Sequence, residues 1–118
     1  MPLMQTPLRI TFRHMHSSPA VEARVRELVE RLERFYDRIT GCHVVVEAPP
    51  AHRNKGAPFE VKIDLTVPGG EIAVRSERAE QEAHMDVYVA LRDAFDSARR
   101  RLQAYSGDSR ASRRDSTA

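Results

Sequence analysis

The sequence predicts an α+β fold: a two-layer sandwich of order β-α-β-β-β-α, with a four-stranded mixed sheet and two helices packed on one face. Three observations predict it. Short segments with period-two alternation mark strands, two longer segments with period 3.6 mark helices, and Pro/Gly/Ser clusters separate them. With 118 residues, 41% hydrophobic and 31% charged, the chain has room for one ordinary globular core.

Leu8, Ile10 and Phe12 alternate with Arg9, Thr11 and Arg13, which reads as the first strand. Ser17, Ser18 and Pro19 follow. Serine is a good N-cap and proline suits the first helical position, so a helix starts here. Its apolar face is Val21, Val25, Leu28, Leu32, Phe35 and Ile39, in steps of three and four. Gly41 is expected to end it. A second strand covers about Cys42 to Ala48, stopped by Pro49 and Pro50. The loop after it carries Arg53 and Lys55.

A third strand runs from Phe59 to Val67, with Phe59, Val61, Ile63, Leu65 and Val67 on one face and Glu60, Lys62, Asp64 and Thr66 on the other. Pro68-Gly69-Gly70 turns the chain into a fourth strand, Glu71 to Arg75. The last helix is expected from about Asp86 to Tyr105. Its buried face is Val87, Leu91, Ala94, Phe95, Ala98, Leu102 and Tyr105. Residues 1–105 thus form one domain. The tail 106–118 has no apolar period and is expected to be a disordered basic tail.

A strand, helix and strand in succession make a right-handed parallel crossover. The remaining short connections suit antiparallel neighbours. One sheet face is then left to solvent, which matches the charged alternate positions of the third strand.

The composition narrows function. The single cysteine, Cys42, has no partner within the chain and fits a reducing cytoplasm. No segment is apolar enough to span a bilayer, and the N-terminus lacks the pattern of a secretory signal. Neither CxxC nor HExxH spacing occurs, and there is no P-loop, nucleophile elbow or recognisable triad. Neither an enzyme, a cofactor, a metal nor a small-molecule substrate is expected.

The net charge is only +2, yet of 19 basic residues just Lys55 and Lys62 are lysine. Arginine suits phosphate and base edges, though GC-rich codon usage gives the same bias. Position is more informative. Arg24, Arg31 and Arg38 are spaced by seven, with Arg34 beside them, and so form a basic stripe on the first helix. Taken alone, the stripe is better explained as a solvated surface with pairs such as Glu27–Arg31 and Glu30–Arg34. On the last helix Arg92 and Arg99 repeat the spacing of seven and flank Tyr88, read as a packing residue at the core edge. Arg99, Arg100 and Arg101 exceed what the helix dipole needs, which favours a phosphate partner.

The element order, together with FYDRI (Phe35 to Ile39), VVV (Val44 to Val46), PGGEI (Pro68 to Ile72) and DVYVALRDAF (Asp86 to Phe95), resembles the ribosome hibernation promoting factor and ribosome-associated inhibitor family over roughly residues 7 to 105. Arg92 stands where that family more usually has an acidic residue, and the loop from Pro49 to Pro58 is longer than in its briefest members.

The resemblance implies a non-enzymatic protein, monomeric off the ribosome, of the short form without a second, ribosome-pairing domain. Such proteins bind the small ribosomal subunit near the decoding centre. Basic helix surfaces meet rRNA there, block mRNA and tRNA, and inhibit translation in idle or stressed cells. The implied rRNA-binding residues are Arg24, Arg31, Arg34, Arg38, Arg53, Lys55, Arg92, Arg99, Arg100 and Arg101. Lys62, on the open sheet face, is expected to matter less. The alternatives are a regulatory protein–protein module of the same fold without durable ribosome binding, and a free double-stranded RNA binder.

Overall fold

Alternation sets the first strand, β1 (Leu8–Arg13), and the capping signal sets α1 (Pro19–Phe35). The Ser18 hydroxyl accepts from the Val21 N–H at 3.2 Å, and Pro19 occupies the first turn. In this computed structural model, which describes residues 7–49, 59–76 and 86–117 with side chains through Tyr105, the order continues as β2 (Gly41–Glu47), β3 (Glu60–Val67), β4 (Gly70–Arg75) and α2 (Val87–Thr117). The expected β-α-β-β-β-α sandwich is therefore the observed one.

The sheet runs β1-β2-β3-β4, with β1 parallel to β2 and the other pairs antiparallel. Register aligns apolar residues across all four strands. One row is Ile10, Val44, Ile63 and Val74; the next is Leu8, Cys42, Leu65 and Ile72. Both helices cover this face. α1 contributes Val21, Val25, Leu28, Val29 and Leu32, and α2 contributes Ala90, Leu91, Ala94, Phe95, Ala98 and Leu102, all in one continuous core. The fully buried alanines of α2 recur every four residues, which lets this helix lie close to its neighbours. Truncating a filled position such as Leu102 to alanine costs about 2–5 kcal/mol.

The helix ends differ from the sequence expectation. α1 stops at Phe35; Tyr36 turns to extended backbone while its N–H still donates to the Leu32 carbonyl at 2.9 Å. Arg38 therefore lies in a turn and not on the helix. Ile39 is buried, as its apolar character demands, but reaches the core from the connection. Gly41 starts β2 instead of capping α1. A Cβ there would meet the Thr66 hydroxyl oxygen at 3.3 Å, so the glycine admits a close neighbouring strand.

α2 opens on Asp86, whose carboxylate accepts from the Tyr88 N–H at 2.9 Å. Its helical backbone continues to Thr117, beyond Tyr105, where the sequence reading ends the helix and begins a disordered tail. The extension has no apolar period to announce it, but it also lacks the proline that would break it. The Tyr105 hydroxyl donates to the Pro68 carbonyl and so ties α2 to the β3–β4 turn, where Gly69 takes φ +87°.

Candidate nucleic-acid interface

At about 100° per residue, α1 places Arg24, Leu28, Arg31 and Phe35 on one strip. On α2 the same rule aligns Tyr88, Arg92, Phe95 and Arg99. The structure brings these strips together. Arg24, Arg31 and Phe35 from α1 and Arg92, Phe95 and Arg99 from α2 line one inter-helix groove of about 320 Å³. Its floor is apolar, supplied by Leu28, Leu32 and Phe95, and its rims are cationic, with Asp96 the one carboxylate lining it among the described residues.

The guanidinium of Arg99 lies 4.5 Å from the centroid of the Phe35 ring, a cation–π contact across the groove. Phe35 was expected in the core, yet it is 39% exposed. Its position as the last residue of α1 carries it past the edge of the covered sheet. Tyr88, read from sequence as a packing residue, is likewise 42% exposed, one turn before Arg92. Neither aromatic was predicted as a site residue. The available signal was that each begins or ends an arginine strip of spacing four and seven.

The rim arginines are held by short-range ion pairs. Glu27 touches two of them: Arg24 at 2.8 Å and Arg31 at 3.8 Å. The Arg24 hydrogen bond and charge, with a smaller contribution from Arg31, hold the Glu27 carboxyl below the ordinary glutamate range. Arg92 lies 3.7 Å from Asp93. These pairs are solvent-exposed, so they orient the guanidinium groups at little energetic gain and leave them exchangeable for phosphate.

Other predicted residues stand apart. Arg34 pairs with Glu30 at 3.9 Å and does not line the groove; neither does Arg38, in its turn. Arg100 donates to the Ser97 hydroxyl and Arg101 to the Ala73 carbonyl of β4, so both face the opposite flank of α2. Arg53 and Lys55 lie outside the described residues.

Cys42 is buried under the helices, and burial, with the Asp64 and Glu33 charges adding to it, pushes its thiol up to about 12. It is no nucleophile at neutral pH. Two histidines make local contacts: His43 Nε2 meets the Thr11 hydroxyl at 2.8 Å, and His14 lies 3.5 Å from Glu47. Among the described residues no three His, Cys, Asp or Glu side chains gather in a form that could hold a metal ion. No helix among them is long and apolar enough to cross a membrane.

Residues 8–110 match the family model described as sigma 54 modulation protein / S30EA ribosomal protein. The chain belongs to this family. A curated relative, the ribosome hibernation promotion factor of Deinococcus radiodurans, is 32% identical over 97 residues, covering 82% of this chain and 47% of that protein. The chain thus spans about half the length of the curated relative it matches.

Two of the solved structures that this chain resembles share its fold. A ribosomal subunit interface protein from Coxiella burnetii superposes with a TM-score of 0.70 at 17% identity, covering 86% of this chain and 99% of that one. The N-terminal domain of Thermus thermophilus Protein Y gives 0.65 at 22% identity, with 86% and 99% coverage. At these identities the likeness establishes fold, and the arginine groove rests on this chain's own residues.

Proposed function

We propose that this S30EA-family domain binds the small ribosomal subunit through the inter-helix groove, meeting rRNA near the decoding centre. In that position it blocks mRNA and tRNA and holds translation off in idle or stressed cells. It works in the cytoplasm by occupancy and not by catalysis. The observation that carries this reading is the convergence of Arg24 and Arg31 with Arg92 and Arg99 around one groove. Guanidinium forks fit phosphate oxygens, and exposed Phe35 and Tyr88 offer ring faces to unpaired bases. The names of the relatives, a ribosome hibernation promotion factor and a ribosomal subunit interface protein, support a ribosomal partner.

A second reading, a protein–protein module of the same fold, draws on the ion pairs that partly neutralise the rim. Salt separates the two. Phosphate contacts release counterions, so RNA binding falls steeply as salt rises, by about 0.9 in log–log slope per neutralised phosphate of a duplex. The test is co-sedimentation with purified small subunits across a salt series, with competition by mRNA or initiator tRNA. A steep slope with competition supports rRNA docking near the decoding centre. Binding that ignores salt supports the protein module.

A further inference from the structure

A larger concavity lies on the sheet side of the molecule. The sheet face left uncovered by helices forms an open cleft of about 580 Å³. Five cations line it from four elements: Arg13 of β1, Lys62 of β3, Arg75 of β4, and Arg100 and Arg101 of α2. Among the described residues Asp64 is the one carboxylate in the lining, and Val45, only 7% exposed, forms an apolar floor.

Side chains of α2 reach the cleft beside the edge strand β4. Arg101 reaches the Ala73 carbonyl of β4 at 3.4 Å, and Arg100 is steadied by Ser97 at 3.1 Å. Successive arginines thereby divide between two surfaces: Arg92 and Arg99 line the inter-helix groove, while Arg100 and Arg101 line the sheet cleft. Strand register sets Lys62 beside Arg75, an arrangement in which two like charges face each other across neighbouring strands. Such a pair is unfavourable for the isolated sheet. Glu60 relieves Arg75 at 3.4 Å, but Arg13 and Lys62 have no ion pair to a carboxylate among the described residues. Cations that outnumber the carboxylates near them, Asp64 in the lining and Glu60 beside Arg75, complement a phosphodiester backbone.

We infer that the open sheet cleft is a second RNA-phosphate site, so that the domain holds two RNA segments at once, one in the groove and one against the sheet. This rests on the reading that the partner is RNA. It changes the weight of Lys62, which the sequence alone placed on a face expected to matter little.

The test is binding to purified small ribosomal subunits over a salt series, with three proteins compared: the parent chain, Arg13→Gln/Lys62→Gln in the cleft, and Arg31→Glu/Arg99→Glu in the groove. Arg100→Gln reaches the same cleft from α2 and serves as a second probe should the strand variant fail to fold by circular dichroism. The cleft variant is expected to bind roughly tenfold more weakly at moderate salt, with its log–log salt slope reduced by about 1–2, one per lost phosphate contact. Affinity and slope equal to the parent, while the groove variant fails, overturns the second site and leaves the groove reading intact. Weakened binding with an unchanged slope also overturns it, since the cleft then meets protein and not phosphate. A cleft variant that weakens as expected while the groove variant binds normally upholds the second site and overturns the groove reading.

Discussion

The Arg99 guanidinium sits 4.5 Å from the centre of the Phe35 ring, joining the C-terminal end of α1 to α2 across the groove. The ring is exposed, so its value lies in what it holds and not in core packing. Phe35→Ala should leave stability within about 1 kcal/mol, the scale of an exposed cation–π contact. It should still weaken small-subunit binding severalfold, because Arg99 loses the surface that orients it. Thermal unfolding and co-sedimentation of one variant check both halves. A large loss of stability would return Phe35 to the core role that its residue type suggests.

On the proposed function, Glu27 competes with RNA phosphate for the groove, since it pairs with both Arg24 and Arg31. Glu27→Gln is expected to strengthen RNA binding by roughly two- to fivefold, the scale of exposed charge interactions. Mild acid should not mimic the substitution. The carboxyl titrates below the ordinary glutamate range, so the pairing is present above that lowered value and is lost only as pH falls through it. A side-chain carboxyl titration by NMR gives the midpoint, and Arg24→Gln should raise it.

Cys42 reports on the core. Its thiol stays protonated in the folded chain up to about 12, whereas an unfolded thiol ionises near 8.5. The unfolded state therefore sheds this proton first, and stability falls as pH rises above about 8.5, by up to ~1.4 kcal/mol per unit from this group. Denaturant melts of the parent and Cys42→Ala across alkaline pH should show that difference in slope. A disulfide-exchange reagent should leave the native thiol unmodified near neutral pH. Rapid native labelling would contradict the burial.

Much of this architecture was legible in the residues. The alternation from Phe59 to Val67 marked β3 and its two faces, and Ser18-Pro19 marked the start of α1. The end of α1 was not legible, because Ile39 continues the helical spacing from Phe35 while reaching the same core from a turn. That error carried Arg38 onto the helix and Phe35 into the core. The spacing of seven found Arg24 with Arg31 and Arg92 with Arg99. Their convergence, and the separation of Arg100 and Arg101 onto the other cleft, depends on how α2 sits against both α1 and β4, which no local pattern encodes.

On the proposed function the two helix strips act as one RNA-facing surface. The most direct measurement is co-sedimentation of Arg31→Glu/Arg99→Glu with purified small ribosomal subunits at moderate salt, with circular dichroism to verify folding. Both positions are solvent-exposed, so stability should shift by only about half a kcal/mol per substitution. The expected outcome is a folded protein that no longer sediments with the subunit. A folded double variant that sediments like the parent chain would contradict it.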